Sequence, residues 1–272
     1  MRFAEKLEMA LLRSCVCVGL DSVVEKLPSS IQKDPEGLLQ FNKAIVDATY
    51  DLIGAYKPNF AFYEALGREG WSVLFETIGY IRKVSPQALI IADAKRGDIG
   101  NTSKMYAHSI FRELGADAVT INPYMGRDSV LPFVEDPQFG AFVLGLTSNA
   151  GSVDIQQIST DTGFVYEHVV RKALEWNKHD NIGLVVGATK DVDMRSIRMA
   201  AGKMPFLIPG IGAQGGNLES AVMSNFNGQY VDALINSSRS ILYASSGPDF
   251  ADAAKQATLN LVREIQEIKS RI

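Results

Sequence analysis

Eight short apolar runs, set between longer segments whose apolar residues recur every three or four positions, restrict most what this chain can fold into. The runs cover residues 15–20, 52–57, 88–93, 118–122, 141–146, 182–186, 205–208 and 231–236. The intervening segments at 35–50, 71–84, 102–114, 166–177, 192–201 and 218–225 carry the spacing of amphipathic helices. Continuous apolar runs mark strands buried on both faces, and β and α alternating along one chain implies a parallel sheet. Eight such units predict a single (β/α)8 TIM barrel of the α/β class. Residues 1–14 read as an extra helix ahead of it and residues 248–272 as a closing helix.

No Pro/Ser-rich linker or shift in composition divides the chain, so one domain over residues 1–272 is expected. The stretch 148–163 is the longest without periodicity and reads as a binding loop or lid. A net charge of −4 gives no broad basic field, so neither nucleic acid nor an acidic membrane is an expected partner. The amino-terminal residues lack the apolar core of a signal peptide, and no run is long enough to span a bilayer. The expected compartment is the cytoplasm. The only cysteines, Cys15 and Cys17, share one face of the first strand as small buried side chains, without a disulfide framework or zinc site.

Sites in such barrels form at the C-terminal ends of the strands, where the following loops vary freely. The polar residues there are Asp21 after the first strand, Lys57-Pro58-Asn59 after the second, and Asp93-Ala94-Lys95-Arg96-Gly97-Asp98 after the third. Asn122 and Thr147-Ser148-Asn149 follow the fourth and fifth. In an extended strand Asp93 and Lys95 point to one side, and Lys57 is in phase with Ile53 and Ala55. Buried charges of this kind are costly unless mutually paired, so two readings stand: a reactive charge array, or a structural ion-pair network with Asp98 capping the next helix.

The seventh and eighth strands supply a second signal. Pro209 opens a loop containing Gly210, Gly212, Gln214, Gly215 and Gly216, and Ser238-Arg239 begins a short helical segment at 240–244. Loops in this place are the usual phosphate site of the fold. His108, His168 and His179 fall on helices or their ends without ligand spacing, so no metal is expected. Arg96-Gly97-Asp98 is an adhesion tripeptide only in name here.

Taken in order, Gly19-Leu20-Asp21, Lys57-Pro58-Asn59, DAKRGDIGNT at 93–102, NPYMG at 122–126, PGIGAQGG at 209–216 and SSR at 237–239 resemble the orotidine 5′-phosphate decarboxylase family. The likeness is to its longer branch, whose third-strand motif reads D-x-K-R-G-D-I-x-x-T, and it extends from Asp21 to Arg239. It implies a carboxy-lyase that converts orotidine 5′-phosphate to uridine 5′-phosphate and CO2 in pyrimidine synthesis, with no metal or organic cofactor. By the resemblance, Lys57, Asp93, Lys95 and Asp98 form a charged array in which Lys95 protonates C6 and Asp93 sits near the substrate carboxylate. Asp21 and Lys57 contact the ribose, Ser148 reads the pyrimidine, and Gln214 and Arg239 hold the phosphate, with Asn59, Pro209 and Ser238 beside them. Asp98, Ile99 and Thr102 enter the partner subunit's site in a homodimer. Three alternatives are weighed against this: a magnesium-dependent sugar-phosphate decarboxylase or aldolase on the same barrel, a Schiff-base aldolase, and a non-catalytic nucleotide-binding barrel.

Overall fold

The computed structural model describes residues 1–188, 194–211 and 217–272. Among these residues eight parallel strands close into a barrel: β1 (Val16–Leu20), β2 (Ala55–Pro58), β3 (Leu89–Arg96), β4 (Ala118–Ile121), β5 (Gly140–Leu144), β6 (Ile182–Val185), β7 (Phe206–Ile208) and β8 (Ala233–Ser237). Each pairs with its neighbours in chain order, and β1 closes on β8 in the register Val16↔Ile235. The strands are almost wholly buried, as their uninterrupted apolar runs require.

The helices follow as the periodicity predicts. The longer ones among the described residues are α1 (Phe3–Arg13), α2 (Pro35–Thr49), α3 (Gly67–Val84), α4 (Gly100–His108), α5 (Val165–Trp176), α6 (Met194–Ala201), α7 (Leu218–Asn225) and α8 (Phe250–Lys269). Local chemistry sets the boundary of α2: the Asp34 carboxylate accepts the Gly37 amide at 2.7 Å, and Pro35 occupies the first turn, where no amide donor is needed. The additional helix α1 closes the N-terminal end of the barrel. Its Phe3 ring packs edge-on to Phe142 with centroids 6.2 Å apart, in space available only because residue 140 is glycine. A Cβ there would stand 2.4 Å from the ring. At the carboxyl end α8 stacks Phe250 on Phe41 of α2 at 5.2 Å.

Some boundaries differ from the sequence reading. The second strand begins at Ala55 rather than at 52, and the third runs on to Arg96. The segment predicted as one helix over 102–114 is α4 followed by a π-helical turn at Ser109–Glu113. The stretch 148–163 is partly ordered: a 3-10 turn at Ala150–Asp154 leads to a hairpin of Ser159–Thr160 with Gly163–Phe164. Residues 192 and 193 of the sixth predicted helix lie outside the described residues, as do Gly212, Gln214, Gly215 and Gly216. No helix among the described residues is long and apolar enough to cross a membrane.

Candidate active site

A cavity of about 480 Å³ opens at the C-terminal ends of the strands. Its charged floor comes from β1, β2 and β3. Lys57 Nζ donates to Asp93 Oδ2 at 2.8 Å, and Lys95 Nζ donates to Asp93 Oδ1 at 2.7 Å. Asp21 Oδ1 lies 3.7 Å from the Lys57 ammonium, outside hydrogen-bond range. Positive and negative groups therefore alternate, Asp21–Lys57–Asp93–Lys95, and the four formal charges cancel.

Burial differs along this array, and the difference assigns capacities. The Lys57 and Asp93 side chains are 4% and 10% exposed, whereas that of Lys95 is 51% exposed. Burial alone would strip the charge from Lys57, but the attraction of Asp93 and Asp21 outweighs it and holds the ammonium above the ordinary lysine range. Burial likewise works against an ionised Asp93, and Lys57 and Lys95 outweigh it, keeping the carboxyl well below the usual carboxylate range. Lys57 is a fixed buried cation, Asp93 a fixed anion, and Lys95 is the cation that faces the cavity.

Asp93 and Lys95 do not converge by the regular alternation of an extended strand, as the sequence alone suggests. Lys95 has φ of +46°, left-handed backbone that a residue with a Cβ seldom adopts, and the β3–β4 register shifts between Ala92 and Arg96. The two side chains meet because the strand is bulged there. Asp98 does not cap α4 either: Ile99 holds that position, and the Asp98 carboxylate accepts the adjacent Ile99 amide at 2.8 Å.

A buried polar network fixes the end of β1. Ser22 Oγ donates to Asn42 Oδ1 at 2.7 Å, Asn42 Nδ2 donates to the Tyr63 hydroxyl at 3.1 Å, and that hydroxyl donates to the Leu20 carbonyl at 3.2 Å. Asp21, between Leu20 and Ser22, is thus delivered to the cavity wall. Asn59 pairs in parallel with Asp93 as an isolated bridge, and its side chain accepts the Ala61 amide at 3.3 Å while lining the cavity. Pro209 and Gly210 after β7, and Ser238 and Arg239 after β8, the strand paired with β1, also line the cavity. Gly19 lets β1 approach this corner, since a Cβ on it would lie 2.0 Å from Ser238 Oγ. Ser148 also lines the cavity.

Not every expected residue is gathered here. Asp98, Ile99 and Thr102 are not among the described residues lining the cavity, and Gln214 lies outside the described residues. Asn122 accepts the Tyr124 amide at 3.0 Å and is likewise absent from the lining. Two polar residues escaped the sequence reading. Thr120, within β4, bonds to both Asp93 and Lys95, and Gln156 accepts the Thr147 amide at 2.8 Å. Leu144, Val185 and Leu207 form the apolar wall. Cys17 lies deeper in the barrel, where burial pushes its thiol up to about 12 and leaves it unreactive.

Fold and site define a (β/α)8-barrel protein with an alternating charge array at the C-terminal mouth. Within that class the chain belongs to the Orotidine 5′-phosphate decarboxylase / HUMPS family, whose sequence profile matches residues 14–256. An orotidine 5′-phosphate decarboxylase of Dehalococcoides mccartyi is 47% identical over 277 residues, covering 100% of both chains. The structure of Leishmania donovani OMP decarboxylase superposes with a TM-score of 0.86 at 37% identity, covering 98% of each chain. Leishmania donovani UMP synthase superposes at 0.88 with 38% identity, and this chain spans 56% of that longer one.

Proposed function

We propose that the protein decarboxylates orotidine 5′-phosphate to uridine 5′-phosphate, as one domain over residues 1–272 that needs no metal or organic cofactor. The observation that carries this reading is the Lys95 ammonium, held 2.7 Å from a buried Asp93 and turned toward the cavity. Heterolysis of the bond from C6 to the carboxylate releases CO2 and leaves an electron pair in the ring plane, where no π-system takes it up. A cation fixed at that point stabilises the developing charge without reorganising water, and a proton passed from Lys95 to C6 completes the product. Solvent then returns the proton to Lys95. At about 4 Å and an effective dielectric near 20, one such interaction amounts to roughly 4 kcal/mol. Enzymatic accelerations need about 8–23 kcal/mol, so Lys95 alone is insufficient. Asp93 adds repulsion toward the substrate carboxylate, and the phosphate, held by Arg239, Ser238 and Gln214 beside Pro209, adds remote binding energy. Asp21 and Lys57 serve the ribose, Ser148 the pyrimidine edge, and Asn59 borders them.

The second part of the reading is a homodimer in which Asp98, Ile99 and Thr102 complete the partner's site. It is supported by their position outside their own cavity and by the apolar side chains nearby. Ile99 is 53% exposed, Met105 65% and Tyr124 81%. We place the enzyme in the cytoplasm.

The test is the fall in orotidylate absorbance, followed with and without a chelator. Turnover unaffected by the chelator is expected, and loss on chelation would favour the magnesium-dependent alternative. Lys95→Ala should stay folded and lose about 10³-fold in kcat, the equivalent of roughly 4 kcal/mol. Full activity in that variant would remove Lys95 from the assigned role.

A further inference from the structure

The proposed chemistry needs Asp93 and Lys95 held at fixed positions, and regular strand geometry does not hold Lys95. Lys95 sits in left-handed backbone at φ +46°, in a stretch where β3 has slipped register against β4. Such a conformation persists only where its surroundings over-determine it. The side chain that does so belongs to the neighbouring strand. The Lys95 amide donates to Thr120 Oγ1 at 3.0 Å, and Thr120 Oγ1 donates to Asp93 Oδ1 at 2.9 Å. Oδ1 is also the oxygen that accepts the Lys95 ammonium.

The bonding directions are forced. A hydroxyl has one proton, an amide can only donate, and a carboxylate can only accept, so the Thr120 proton must point to Asp93. Thr120 is 1% exposed, so water does not compete for either bond. The γ-methyl stiffens χ1 and fixes the direction of the hydroxyl. One oxygen thereby ties the backbone of Lys95 to the carboxylate that orients its ammonium.

We propose that Thr120 is a positioning residue for the Asp93–Lys95 pair, acting on turnover through those two groups; this rests on the decarboxylase reading above. Thr120→Val removes the hydroxyl and keeps the shape, while Thr120→Ser keeps the hydroxyl. The expected result is a fall in kcat of about 30-fold or more for Thr120→Val. KM and the Kd for uridylate should stay within about threefold of the parent enzyme, and Thr120→Ser should recover most of the turnover. Thr120→Ala takes the place of Thr120→Val if the latter does not fold. A kcat within about threefold of the parent overturns the proposal, as does Thr120→Ser failing equally, or KM rising in step with the loss. A crystal structure of the hydroxyl-less variant tests the same point without turnover. Lys95 should leave its left-handed backbone or its ammonium should leave Asp93, and unchanged positions would sink the idea. A parent enzyme with no turnover would defeat the decarboxylase reading and leave that structural test in force.

Discussion

Lys57 and Asp93 form a 2.8 Å ion pair between side chains that are 4% and 10% exposed, on adjacent strands of one barrel. Such a pair is weak evidence for stability while intact, but removing one partner strands the other in a medium that penalises charge. Asp93→Asn should therefore destabilise the protein by about 3–5 kcal/mol, with Asp21 reducing the loss from its longer distance. The pH dependence follows from both directions of shift. Asp93 is held below its unfolded value, so its contribution is present above about pH 4 and fades as pH falls further. Lys57 is held above its unfolded value, so its contribution is present below about pH 10.4 and fades as pH rises beyond that. Urea titrations should give a parent-minus-variant difference that is flat between about pH 5 and 9.5 and shrinks outside that window. A difference that grew on acidification would contradict the assignment.

Asp117 offers the opposite case, a buried carboxylate at the N-terminal end of β4. It accepts the Ile90 amide at 3.0 Å, Arg82 Nη2 at 2.6 Å and Lys6 Nζ at 3.1 Å, tying α1 and α3 to β3. Charged groups at this end of a barrel serve stability rather than chemistry. Asp117→Ala leaves the Ile90 amide buried without an acceptor, while Lys6 and Arg82 can turn to water. A loss of about 2–4 kcal/mol is expected, with Tm lower by roughly 5–12 °C. The kcat of the folded fraction should remain within about twofold of the parent at 25 °C, and a larger fall would show that the N-terminal end reaches the chemistry.

Arg239 tests the phosphate end separately. Arg239 lines the cavity from the start of the short helix Arg239–Leu242, which follows β8. A charge-assisted hydrogen bond contributes about 1.5–3 kcal/mol, so Arg239→Ala should raise KM by roughly 10–100-fold. If phosphate binding also drives loop closure, kcat falls as well, by a smaller factor. Steady-state kinetics with orotidylate would decide it, and an unchanged KM would move the phosphate elsewhere.

The barrel could be read from the sequence because strands buried on both faces leave continuous apolar runs, and Lys57, Asp93 and Arg239 stood out as polar residues ending such runs. Other features had no comparable signal. Thr120 lies inside an apolar run, where a β-branched residue is an ordinary strand former, so its two bonds to β3 were invisible. The backbone at Lys95 was hidden because left-handed conformations are usually announced by glycine, and here the residue is lysine. The hairpin within 148–163 uses two-residue strands, too short to show any period. Asp98 looked like a helix cap by residue type, but the helix begins one residue later and its carboxylate stays with the Ile99 amide.

That freed position for Asp98 leads to a prediction about assembly. Its carboxylate accepts the adjacent Ile99 amide, and Asp98 is not among the described residues lining its own cavity and precedes exposed Ile99. If it acts in the neighbouring subunit, Asp98→Ala and Lys95→Ala homodimers should each be nearly inactive, since every site in each lacks one member of the array. After subunit exchange, a heterodimer joins Lys95 of one subunit to Asp98 of the other and regains one intact site of its two. Random mixing in equal amounts makes half the dimers mixed, so activity should recover to about a quarter of the parent value per site, the statistical limit for a site shared across a two-fold interface. Exchange must be verified independently, by mass spectrometry of differently tagged subunits. Confirmed mixed dimers without recovery would confine Asp98 to its own subunit, and its role would then have to be structural.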